Sequence, residues 1–186
     1  IKRKDIRIGD IVEIERAGDV IPHVINVDLT KRKSKSKSFI FPIRCPSCGS
    51  KTVKEFNKIT KKYDAVRRCI NDSYDCDRIA IEKLKHLISK EALNIDGLGK
   101  KVIEKFWDLN LIRSPQDIFK LNYSKIITLE GWGELSVRNL KKSIENSKKV
   151  SLQKFIYSIG IRHIGLENAK LISDNVKNIS RFLEII

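Results

Sequence analysis

The cysteines constrain this chain more than any other feature. All four lie between Cys45 and Cys76 in the pattern C-x2-C-x20-C-x6-C, opening with FPIRCPSCGS. Such clustering permits two disulfides, a redox pair with two bystanders, or a metal site. A redox C-x-x-C sits at a helix start beside a strand and needs no further thiols. Stable disulfides belong to oxidising compartments, and the charge of this chain argues against one. It carries 38 Lys+Arg against 23 Asp+Glu, a formal charge of +15, which points to a polyanionic partner inside the cell. The N-terminal IKRKDIRIGD also lacks the apolar core of a secretory signal. That leaves a metal. In CPSCG the proline and glycine make the tight turn that lets two thiolates face one ion, and Cys69 and Cys76 complete a tetrahedron suited to structural zinc. A closed four-thiolate set has no open position for water, so its work is structural rather than catalytic. The six-residue gap before Cys76 is wider than a generic zinc ribbon uses. His86 falls with Leu84 and Leu87 on an apolar helical face, so it reads as a core or surface histidine rather than a ligand.

At 186 residues the chain holds one medium domain or two to three small modules. No apolar run approaches the roughly 18 residues a membrane helix needs, so a cytoplasmic protein with no membrane partner is expected. The chain contains no Met at all, so it is expected to be a piece of a longer protein.

Four segments separate by pattern. Over residues 1–30, alternating apolar residues flank Ala17-Gly18-Asp19 and predict two short strands. Pro22 places the second strand on an edge or delays its start. A lone hairpin is marginal in water, so these strands are expected to complete a small sheet or barrel. Residues 31–40 contain KRKSKSKS, which reads as a solvated, extended basic linker. Residues 41–77 hold the cysteine module. Residues 78–186 read as a helical domain: IAIEKLKHLISKEAL, KKVIEKFWDLNLI, ELSVRNLKKSIENS, SLQKFIYSIG and LENAKLISDNV all space apolar residues by three and four. The fold class is thus mainly α, with a small zinc module and a short β segment before it.

Gly-rich turns divide the helices, and they share a frame of glycine, apolar residue, glycine and helix. In NIDGLGKKVI, Gly97 and Gly99 flank Leu98, with Lys100 opening the helix and Ile103 at a fixed offset. In LEGWGELSV, Gly131 and Gly133 flank Trp132, with Val137 at that offset. In IGIRHIGLENA, His163-Ile164-Gly165 fills the frame with Ala169 at the offset, and His163 replaces the first glycine. Glycines here keep side chains away, so the amides opening each helix can face a phosphate. One such turn is an ordinary helix end. Three in one domain read as helix-hairpin-helix units that grip a nucleic-acid backbone. In the third, Arg162 and His163 offer side-chain contacts instead of the missing glycine.

RAGDVIP, FPIRCPSCGS, the wider second cysteine pair, ALNIDGLGKKVI and FIYSIGIRHIG follow one another in an order that resembles bacterial NAD-dependent DNA ligase. The resemblance implies that residues 1 to about 30 end an oligonucleotide-binding (OB) barrel. It also implies that Cys45, Cys48, Cys69 and Cys76 bind zinc, and that the helical part holds about three of four hairpins. It implies an enzyme that uses NAD to seal nicked double-stranded DNA in replication and repair, acting as a monomer near the nucleoid. Arg16 would contact phosphate, with Val20 and Ile21 against the minor groove. The residues by themselves read more plainly, as a turn arginine and two strand core residues. No K-x-D-G, the motif carrying the adenylated lysine of such ligases, occurs in the chain, so this segment alone is expected to be inactive and to bind no NAD. The alternative is a non-enzymatic zinc and helix-hairpin-helix scaffold for DNA repair, which would have no need of the strand pair around RAGDVIP.

Overall fold

A computed structural model describes residues 1–18, 21–58, 60–71 and 74–185. Val20 lies outside the described residues. The chain forms two compact units, Ile1–Arg44 with Thr52–Arg67, and Cys45–Lys51 with Arg68–Ile186. Among the described residues there are eight α-helices and six short strands, so the fold is mainly α.

In the first unit, β1 (Val12–Ala17) pairs antiparallel with β2 (Ile21–Val27). Pro22 stands opposite Arg16 inside β2, which a two-stranded sheet tolerates because every strand in it is an edge. A bulge between Glu13 and Ile14 interrupts the register. Very little of this unit is buried: Ile14 and Ile21 are 59% and 62% exposed, while Val27 is 8%. Three shorter strands follow, β3 (Thr52–Val53), β4 (Phe56–Asn57) and β5 (Lys62–Tyr63), of which β4 and β5 form a hairpin.

Charge supplies the order that the missing apolar core does not. The Arg32 guanidinium donates to both carboxylate oxygens of Asp10 at 3.0 and 2.8 Å, and to Asp5 Oδ2 at 2.8 Å. Arg7 joins through Asp5 and through the Ser36 carbonyl at 2.8 Å. The Asp10 side chain is 1% exposed and that of Arg32 is 14%. Hydrogen bonds from Arg7 and Arg32 hold the Asp5 carboxyl down to about 2. Such bidentate, charge-assisted pairs are geometrically demanding, and they correct the reading of KRKSKSKS as wholly solvated. Arg32 is fixed because two carboxylates, distant in sequence, close around it.

The second unit opens with β6 (Arg68–Cys69) and continues as α1 (Asp77–Leu87), α2 (Lys100–Asp108), α3 (Pro115–Ile118), α4 (Tyr123–Ile126), α5 (Glu134–Ser147), α6 (Leu152–Ser158), α7 (Leu166–Val176) and α8 (Ile179–Leu183). α1 ends earlier than its periodicity suggests: the chain folds back with Leu93 N–H donating to Leu87 O at 3.1 Å, and Asn94 adopts φ 50°. α2 is closed just past its C-cap Leu109 by left-handed Asn110, φ 54°, where Leu111 N–H reaches back to Phe106 O at 2.8 Å in the Schellman manner. The one-turn helices α3 and α4 escape a periodicity search because one turn holds no period. Their caps do show: Ser114 N–H donates to Asp117 Oδ2 at 2.7 Å beside Pro115, and Asn122 Oδ1 accepts from Lys125 N–H.

Two apolar clusters organise the unit. The larger joins Leu84, Leu98, Ile103, Phe106, Ile126 and Leu140, all 0–1% exposed. The smaller joins Ile156, Ala169, Val176 and Phe182. His86, read as a core or surface residue, is half-buried: its Nε2 lies 2.8 Å from the Tyr157 carbonyl, tying α1 to α6.

Candidate functional site

The four cysteines converge. Their sulfurs all lie within 4.8 Å of one another, with Cys45–Cys76 at 3.9 Å and Cys48–Cys69 at 3.5 Å. A tetrahedron with metal–sulfur bonds of about 2.3 Å has edges of about 3.8 Å, so small side-chain adjustments let these sulfurs hold a metal ion. Local structure explains how each is placed. Cys45 N–H donates to Ser50 O at 2.7 Å and Gly49 N–H to Cys45 O at 2.9 Å. Gly49 takes φ 72°, which closes the turn so that Cys45 and Cys48 face the same point. Cys69 ends β6, and Cys76 is the fully buried N-cap of α1, its carbonyl accepting from Ala80 N–H at 2.9 Å. The ligand set is thereby bonded into the first helix of the second unit.

The surroundings support thiolates unevenly. Hydrogen bonds from Ser50 draw the Cys48 thiol down, whereas burial pushes Cys69 up. Four thiols this close cannot all ionise beside one another unless a cation takes up the charge. Asn71 Nδ2 donates to Ser50 Oγ at 3.0 Å and lies 3.9 Å from Cys48 Sγ. Sequence reasoning missed Ser50 and Asn71. A polar residue just beyond a C-x-x-C turn was the available signal.

The three turns share one geometry. Leu98 N–H donates to Ile95 O, Trp132 N–H to Leu129 O, and Ile164 N–H to Ile161 O, at 3.4, 3.0 and 3.0 Å. The third residue of each turn is left-handed: Gly97 at φ 90°, Gly131 at 84° and His163 at 67°. The next glycine N-caps the following helix, and the residue at the offset (Ile103, Val137 or Ala169) donates its N–H to that glycine's carbonyl at 3.1, 3.0 and 2.9 Å. His163 thus occupies the first glycine's conformation despite its side chain, and Asn168 Nδ2 steadies its carbonyl at 3.0 Å. Histidine visits this region more readily than most residues, but at a cost. His163→Gly is therefore expected to stabilise the chain by about 0.5–1 kcal/mol, offset in part by glycine's unfolded-state entropy. Denaturant midpoints of the two proteins check this.

The first two turns adjoin. Asp96 N–H donates to Ser143 Oγ on α5 at 2.8 Å, and Lys105 Nζ reaches Glu130 O at 3.2 Å. A groove of about 460 Å³ runs between them, lined by Gly97, Gly131, Trp132 and Leu140. Lys100 is exposed at the first position of α2. Gly165, Arg162 and His163 belong to the third turn, which packs on the smaller cluster through Ile161 and Ile164. Arg16 and Ile21 are exposed at the turn end of the β1–β2 hairpin. Ile21 is thus not the buried strand residue of the plainer reading.

Residues 1–36 match the model of the NAD-dependent DNA ligase OB-fold domain. The match includes Arg32, whose ion pairs close the first unit. The chain is 64% identical over 185 residues to a DNA ligase of Pelagibacter ubique, a match covering 100% of this chain and 27% of that relative. It is 47% identical over 176 residues to a DNA ligase of Persephonella marina, covering 95% of this chain and 24% of the relative. A DNA ligase of Neorickettsia sennetsu is 42% identical over 186 residues, covering 99% and 27%. The chain thus spans about a quarter of the length of the curated relatives it matches. No helix among the described residues is long and apolar enough to cross a membrane. The chain is thus similar over its first 36 residues to the OB-fold domain of NAD-dependent DNA ligases and along nearly its whole length to a segment of bacterial DNA ligases, in line with the resemblance read from RAGDVIP and FPIRCPSCGS.

Proposed function

We propose that this chain is the duplex-gripping segment of a DNA ligase that seals nicks in replication and repair. Residues 1–30 act as part of an OB domain, 31–40 as the connection, 41–77 as a zinc finger, and 78–186 as helix-hairpin-helix units. Zinc on Cys45, Cys48, Cys69 and Cys76 does structural work. Arg16 contacts phosphate, with Val20 and Ile21 against the minor groove. The adenylated lysine and NAD site lie elsewhere, because no K-x-D-G occurs here. The active species is a cytoplasmic monomer.

One observation carries the phosphate-binding role of the turns. Gly99 and Gly133 sit in ordinary extended backbone, at φ −69° and −134°. A Cβ built on either, or on Gly165, meets nothing within 4 Å. Positive φ favours glycine at Gly97 and Gly131, but no such backbone requirement holds at these second positions. Serine, asparagine or aspartate would cap these helices at least as well as glycine, so the missing side chain is accounted for by something external approaching the backbone, and helix-opening amides favour an anion. The +15 charge agrees.

The test is binding to nicked and intact duplex of one sequence across a salt series. Affinity for both should fall steeply with salt as counterions are released. Gly99→Thr with Gly133→Thr, which keeps an N-cap about as good as glycine, should leave the thermal midpoint in place and weaken duplex binding by about tenfold or more. Unchanged affinity in that variant would remove the turns from the interface.

A further inference from the structure

We infer that the β4–β5 hairpin is a second DNA-contacting element, a stacking platform for an unpaired base; this rests on the DNA-binding reading above and adds a residue-level site to it. Phe56 and Tyr63 are cross-strand partners whose ring centroids lie 5.0 Å apart at an interplanar angle of 60°. They are 50% and 67% exposed, and neither joins the two buried clusters. Around them Lys54, Lys58, Lys61 and Lys62 are all exposed.

Three physical points favour this ligand. First, the hairpin ladder pairs two residues with two, which main-chain bonding alone stabilises poorly. A purely structural aromatic pair would turn one ring into its own unit, whereas Tyr63 is two-thirds exposed. Second, the hairpin base is held firmly: Arg67 donates to Thr52 Oγ1 at 2.9 Å and to Thr52 O at 2.8 Å, Thr52 is 6% exposed, and Asp64 N–H donates to Glu55 O at 2.8 Å. The rings are thus presented from an ordered base, as a stacking site requires. Third, lysines alone answer to phosphate, but lysines framing exposed rings fit a polyanion that also offers π-faces. Bases in a duplex are stacked on one another, so this platform engages a single-stranded flank rather than the paired strands.

The test compares a labelled oligothymidine of about 12 nucleotides with nicked duplex, using the whole chain. Phe56→Leu with Tyr63→Leu keeps apolar bulk on the hairpin and removes the aromatic faces. A single stacked base strengthens binding by about tenfold or more. The double variant should therefore lose about tenfold or more on oligothymidine and less than about twofold on nicked duplex. Tyr63→Phe should bind oligothymidine like the parent. An unchanged oligothymidine affinity in the double variant overturns the platform. So does equal loss on both DNAs, and so does a parent chain that binds duplex but not oligothymidine. A parent chain that binds neither DNA removes the DNA-binding reading itself, and the platform with it.

Discussion

If the four sulfurs hold zinc as proposed, Cys76→Ser should release it from the chain and unravel the start of α1. The substitution separates two roles of one residue. As the N-cap of α1, position 76 loses nothing with serine, a better N-cap than most residues. As a sulfur donor it loses everything: a hydroxyl is a poor substitute for thiolate, and the remaining three sulfurs form an incomplete tetrahedron. Binding of structural zinc is worth about 10–16 kcal/mol in small zinc domains, and that binding energy is folding energy. Loss of a direct ligand should exceed the roughly 10- to 100-fold drop in affinity caused by changes in the groups around the ligands. The expected result is a dialysed protein with substoichiometric zinc, reduced helical signal and faster proteolysis between Cys45 and Cys76, all reproduced by treating the parent with a chelator. Stoichiometric zinc with an unchanged unfolding midpoint would mean that three sulfurs suffice and that the closed site is not what orders this region.

That the cysteine site could be read from sequence has a physical cause. Thiols are rare and metal geometry is strict, so four of them in C-x2-C-x20-C-x6-C leave few arrangements. The longer helices were legible for a related reason: α5 follows ELSVRNLKKSIENS because its apolar stripe repeats over its whole length. What escaped was encoded by long-range pairing. Nothing in KRKSKSKS announces that Arg32 will meet Asp5 and Asp10, since the chain must fold before those carboxylates are near. Ser143, which holds the Asp96 amide, is equally silent, being one serine on an amphipathic helix. His163 is a different case. Its identity departs from the frame of the other two turns, while its φ of 67° shows the same turn kept in shape against the residue's preference.

Phe106→Ala should be the most damaging change that touches no proposed DNA or metal ligand. Phe106 is 0% exposed in the larger cluster, and its ring lies 5.5 Å from that of Trp132. It therefore joins α2, which the first turn opens, to the middle residue of the second turn. Emptying such a site costs about 3–5 kcal/mol, part from lost transfer energy and part from the cavity left behind. That is a large fraction of a typical domain's stability. The loss should be uneven, because the smaller cluster around Ile156, Ala169 and Phe182 has its own buried contacts. Hydrogen exchange should accelerate across α1, α2 and α5 before it does across α7. If the paired turns act as one phosphate clamp, duplex affinity should also fall in this variant at temperatures where it is still folded, because the first and second turns are held in register through this packing. Even loss of protection over all the helices would instead make the second unit a single cooperative block. Preserved affinity in the folded variant would mean that each turn grips DNA independently of its neighbour.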